Sequence, residues 1–152
     1  MIIYFSSTDA IEHHDLVIEK SGGLRGVKDI GLLETVLDFI QNDLYYPTFE
    51  EKLTHLVYGV AKNHAFLDGN KRSSIALGAL FLKLNGYPDS IVDQFMKQME
   101  SIVLVTVINQ ISKYDLFELI ALLINGLPYT DELEIKLTTA IQYYNDTFLD
   151  NM

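Results

Sequence analysis

Residues 48–86 read TFEEKLTHLVYGVAKNHAFLDGNKRSSIALGALFLKLNG, and their reading decides the fold. Thr48, with Glu51 three positions on, makes a capping box. It opens a helix carrying Leu53, Leu56, Val57, Val60 and Ala61 on one face, the spacing of a buried stripe, and that face continues to His64. Ser73 to Leu84 is a second apolar helix, ended by Asn85-Gly86. Between the two, His64-Ala-Phe-Leu-Asp68-Gly-Asn-Lys-Arg72 supplies a titratable base, a carboxylate, a loosened turn and two cations. These groups converge on a loop that feeds a helix N-terminus.

Working outward, helical signals dominate on both sides. Ser6 or Ser7 caps a helix to about Lys20, stopped by Gly22-Gly23. Residues 22–31 hold four glycines in ten positions and read as a loop or short hairpin. A helix from about Leu32 to Asn42 follows, and Pro47 breaks the chain after it. Residues 90–109 are ambiguous, because the run Ile102 to Ile108 is rich in β-branched side chains and suits a buried helix or a strand. Ser112 with Asp115 begins a helix to Asn125, and Thr130 starts a last amphipathic helix to about Phe148. With no internal repeat or linker, the expectation is one mostly α-helical domain over residues 1–152.

Composition narrows the function. The chain has 152 residues, 49% of them hydrophobic and 21% charged, enough to bury a single core. Cysteine is absent, which excludes disulfides and thiolate metal sites and suits a reducing cytoplasm. The N-terminus lacks the basic and apolar regions of a signal peptide, and no apolar run is long enough to cross a bilayer. A net charge of −10 argues against binding nucleic acid or an anionic membrane. Lys62, Lys71 and Arg72 read either as three scattered surface cations, the plainer reading of the three alone, or as a local positive island that suits a small polyphosphate.

The loop chemistry points to transfer of a phosphate-containing group onto a hydroxyl. The hydroxyl must lose a proton, and histidine suits that role near neutral pH. Phosphate charge must be neutralised by a metal and by directed donors. Asp68 is a hard oxygen ligand of the kind Mg²⁺ takes. Gly69-Asn70-Lys71 leads into a helix start whose unpaired N–H groups attract anions. Arg72 adds a guanidinium fork and Lys71 a point charge. Phe66 reads as a core plug that fixes the loop. Plain readings exist too: His64 as a hydrogen-bonded core residue, Asp68-Gly-Asn as a turn, Asp68 as a helix cap, and Lys71 and Arg72 as a solvated first turn. Together they leave five matched groups in nine residues to coincidence.

The loop resembles the signature of the Fic/Doc family, His-x-Phe-x-Asp/Glu-Gly-Asn-Gly-Arg-x-x-Arg, in the form of the Doc (death-on-curing) branch, where Lys precedes Arg. Gly22-Gly-Leu-Arg-Gly26-Val-Lys-Asp29-Ile-Gly31 and Ala76 to Gly86 resemble two further Doc segments, so the likeness runs over about residues 3–125 and leaves a C-terminal helical extension at 126–152. The resemblance implies an all-α helical bundle with a short flap loop or hairpin. It makes His64 the general base and Asp68 a catalytic Mg²⁺ ligand. Gly69, Asn70, Lys71 and Arg72 would hold the phosphates of ATP, and Leu24, Arg25 and Gly26 would form a flap that positions the target.

The departures from the wider family are informative. Ile75 stands where adenylyltransferases of the family carry a second Arg, and Lys71 stands where they carry Gly. Both resemble Doc toxins, kinases that move the γ-phosphate of ATP to elongation factor Tu and so block translation. AMP transfer is the alternative, and a non-catalytic binding scaffold is a third reading. Thr130-Asp-Glu-Leu-Glu134 matches the family's inhibitory motif only in part, since Ile135 follows the glutamate; Thr8 to Glu12 fails similarly at His13. The resemblance therefore implies control by a separate Phd-like antitoxin. The last helix suits ordinary packing, or else a homodimer contact.

Overall fold

A computed structural model describes residues 1–149. Ser6 caps α1 (Ser7–Ser21) through a complete capping box with Asp9. Asp29 caps α2 (Ile30–Phe39), accepting from the N–H groups of Gly31 and Leu32. This start is earlier than the sequence suggests, because the cap residue lies inside the glycine-rich segment. Past Phe39 the chain tightens, with Gln41 and Asn42 donating to the carbonyls three residues back. Then come α3 (Phe49–Asn63), α4 (Asn70–Leu84), α5 (Asp89–Val107), α6 (Lys113–Ile124) and α7 (Asp131–Tyr144). A five-residue π-helical turn, Asn145–Leu149, follows α7 where the pattern predicts continued α-helix.

Among the described residues the fold is all-α, as expected. The ambiguous run near residue 102 is helix. Val92, Phe95, Met99, Ile102, Val103 and Thr106 recur at spacings of three and four and are all buried. A strand there would leave its ladder groups without a neighbour, whereas a helix satisfies them within the segment.

The centre is α3, which packs against α4, α5, α6 and α2. Leu53, Leu56, Val57 and Val60 are buried, as the apolar stripe requires. Only the Thr48 half of the expected capping box forms, with Thr48 Oγ1 accepting from Glu51 N at 3.1 Å. At Gly78 of α4 the ring of Phe95 on α5 comes so near that an added Cβ would meet it at 2.8 Å, so this crossing needs glycine. Lys52 is fully buried, which its charge conceals in the sequence; its Nζ donates to Ile40 O at 2.8 Å and pairs with Asp43 at 2.7 Å. The last helix α7 adds Leu133 and Ala140 to the same core, and Lys136 reaches back to Asp115 of α6 at 3.3 Å. That is packing of the ordinary kind. Asp150, an acidic residue of the C-terminal extension, lies outside the described residues.

Candidate active site

The site forms where α3 ends and α4 begins. The buried face of α3 does not continue to His64: the helix stops at Asn63, and His64 adopts a left-handed conformation (φ 53°, ψ 47°). Histidine tolerates this geometry better than most side chains. The turn puts the imidazole in solvent rather than in the core, while Ala65 and Phe66 go inward. The plain reading of His64 as a core residue therefore falls. His64, Leu67, Asp68, Gly69, Asn70, Lys71 and Arg72 line one cavity of about 320 Å³.

Asn70 explains how the loop keeps its shape. Its Oδ1 accepts from Phe66 N at 3.0 Å and its Nδ2 donates to Phe66 O at 3.1 Å. The side chain is thus engaged within the loop, which leaves its backbone N–H for an anion. Gly69, also left-handed at φ 72°, is the N-cap of α4 and gives no side-chain cap. The first intrahelical bond is Ser73 N to Gly69 O, so the N–H groups of Asn70, Lys71 and Arg72 carry the positive end of a 15-residue helix uncapped. Asp68 is not the cap.

Instead, Asp68 joins the loop to the flap. Its Oδ2 accepts from Leu24 N at 3.1 Å and its Oδ1 from Gly69 N at 2.8 Å. These two bonds, the Leu24 one foremost, hold its carboxyl below the ordinary aspartate range, and the nearby Arg72 lowers it further. Arg72 Nη2 stands 3.9 Å from Asp68, and Nη1 donates to Ser21 Oγ and to Gly22 O. The guanidinium is therefore braced against the end of α1, while Lys71 is exposed. No group of three or more metal-ligating side chains exists among the described residues. A single carboxylate whose oxygens each keep a lone pair still fits Mg²⁺, which holds several waters and takes its remaining ligands from phosphate.

The flap is a loop rather than a hairpin. Its one bridge is antiparallel, Val27 to Phe66. Lys28 N and Asp29 N both donate to Ala65 O, at 2.8 and 3.0 Å, and Leu67 N donates to Gly26 O at 3.1 Å. Leu24 is exposed at the flap's edge, and Arg25 makes only a long exposed pair with Glu19, at 4.0 Å. Gly23 approaches the site so closely that a Cβ would stand 2.5 Å from Asp68 Oδ2.

Two residues of the site escape the sequence reading. His14 of α1 is 1% exposed and stacks on Phe66, with ring centroids 3.8 Å apart and planes at 6°. Its Nδ1 lies 2.7 Å from Ser73 Oγ, and burial above all lowers its pKa below the usual histidine value. The available signal is periodicity, since His14 stands four residues from Ala10 and from Ile18, both buried.

The chain is also similar to known proteins. The profile of the Fic/DOC family matches residues 4–82. "Protein kinase doc" of Escherichia phage P1 is 36% identical over 87 residues, covering 55% of this chain and 68% of that protein. "Toxin Doc" of Mycolicibacterium smegmatis is 35% identical over 86 residues, covering 52% of this chain and 66% of that protein. The chain belongs to the Fic/Doc family. Within it the relatives and the Lys71-Arg72 pair assign it to the Doc branch.

Proposed function

We propose that this protein is a Doc-type toxin that transfers the γ-phosphate of ATP to a hydroxyl of a protein target. The observation that carries this reading is the convergence of exposed His64, Asp68 and the uncapped start of α4 on one cavity bordered by the flap. The triphosphate lies against the N–H groups of Asn70, Lys71 and Arg72, where dipole and cations favour its charge. Leu24, Arg25 and Gly26 border the acceptor's approach, and His64 takes the acceptor's hydroxyl proton. The hydroxyl oxygen bonds to the γ-phosphorus as the bond to the bridging oxygen breaks, and ADP leaves. A Mg²⁺ ion held by Asp68 would neutralise phosphate charge at the same place.

The family reading supplies the target, elongation factor Tu, and with it a cytoplasmic site of action, blocked translation and an antitoxin partner in trans. No helix among the described residues is long and apolar enough to cross a membrane. Ile75, half-buried beside Arg72 in the neighbouring groove, weighs against AMP transfer because a second guanidinium is missing there. The test is transfer to purified elongation factor Tu with Mg²⁺ and ATP labelled at either the γ- or the α-phosphate. Label from the γ position alone is expected. Label from the α position would make the protein an adenylyltransferase, and ATP binding without transfer of either label would remove the target.

A further inference from the structure

We propose that His14 is a positioning residue for the phosphate loop, acting through a ring that clamps both ends of that loop at once. The inference rests on the nucleotide-binding reading of the same cavity. Phe66 precedes the segment Leu67–Arg72 and Ser73 follows it. One imidazole is stacked on the first, at 3.8 Å, and bonded to the second, at 2.7 Å. Between these anchors its Cε1 lies 3.5 Å from where a Cβ on Gly69 would sit, directly beneath the helix start. The clamp comes from α1, 59 residues away from Ser73 in sequence, so it ties the loop to a separate element.

The remaining ring nitrogen shows that packing alone does not explain this histidine. Nε2 is buried with no hydrogen-bond partner among the described residues. A buried polar atom without a partner lowers stability, and a phenylalanine ring would keep the stack on Phe66 without that burden. An imidazole at this position makes sense if its bond to Ser73 sets the loop geometry. The chain gives up stability for a fixed distance between Phe66 and the first turn of α4. That distance governs how the N–H groups of Asn70, Lys71 and Arg72 point at an anion, and small misplacements of such donors weaken their effect steeply.

Five proteins test this: wild type, His14→Phe, Ser73→Ala, the double variant and His14→Asn. His14→Phe keeps the stack and removes the bond; Ser73→Ala removes the bond from the other side. Melting temperatures at neutral pH are expected to fall in the single variants, because each leaves one buried partner of the lost bond unpaired, but all the proteins remain folded at the temperature of the binding assay. MgATP affinity by calorimetry is expected to fall about five- to tenfold in each single variant, the loss of one hydrogen bond. The double variant should be no weaker than either single one. His14→Asn, whose amide reaches the position of Nδ1, should recover part of the affinity. Unchanged MgATP affinity in His14→Phe, or losses that multiply in the double variant, would overturn the proposal. Hydrogen exchange of the amides of residues 66–73 without nucleotide separates the two claims. If wild type binds no MgATP, the nucleotide reading falls, yet faster exchange in both single variants still upholds the clamp; wild-type exchange rates in His14→Phe overturn it.

Discussion

At the scale of single residues, the conformation of His64 carries the greatest consequence. Because a left-handed turn puts it in solvent, it holds no part of the core together. His64→Ala is therefore expected to abolish phosphate transfer and growth arrest while the protein stays folded, its melting temperature lowered by only about 2–4 °C because alanine suits the left-handed backbone less well than histidine, at a cost of about 1 kcal/mol. Growth arrest at equal expression of the alanine variant would remove His64 as the base. Asp68 behaves differently, because it receives backbone bonds from both flap and loop. Asp68→Ala should weaken nucleotide binding in Mg²⁺ and also speed exchange of the Leu24 amide; affinity equal to wild type with and without Mg²⁺ would exclude the ligand role. The chemistry of residues 64–72 was legible because it is contiguous. His14 and Ser73 were not, because a bond between residues 59 positions apart leaves no local signal beyond helical spacing.

At the scale of elements, caps and close approaches decide where helices begin and how they cross. Ser6–Asp9 and Ser112–Asp115 form both arms of their boxes; the second start is legible to the residue, whereas the first is legible only as Ser6 or Ser7. The sequence pattern puts the start of α4 at Ser73 and the structure has it at Asn70, because Gly69 caps it with a positive φ and no side chain announces it. The β-branched run in α5 misleads on propensity alone, and burial on the three-four spacing overrides it. The α4–α5 crossing gives a test of this packing. Gly78→Ala gains about 1 kcal/mol of helix propensity but drives a methyl into the Phe95 ring, at a cost of about 1–3 kcal/mol. A lowered denaturation midpoint is expected. Adding Phe95→Leu should recover part of the loss by opening space; independent, additive effects of the two changes would show that the methyl and the ring do not clash.

At the scale of the whole molecule, two histidines tie stability to pH. Burial lowers the pKa of His14, and burial with the charge of Lys113 lowers that of His55 to about 4 from 6.5. His55 shares its Nδ1 with Tyr46 and Lys113, both at 2.9 Å. Below about pH 6.5 the unfolded chain binds protons that these folded groups refuse, so stability falls with acid. For His55 the loss runs from about pH 6.5 down to about 4 and then levels off. His55→Asn should flatten the slope of melting temperature against pH in that window; an unchanged slope would assign the effect elsewhere. The all-α architecture was legible from hydrophobic spacing, whereas the pairing of flap with loop was not, since backbone bonds depend on no particular side chain. That pairing limits which segments can be exchanged with those of a relative. Ala65, next to His64, accepts from two flap amides, and Gly26 accepts from Leu67. An engineer who grafts residues 23–29 from a relative must carry residues 65–67 along, because the two segments form a single interchangeable cassette.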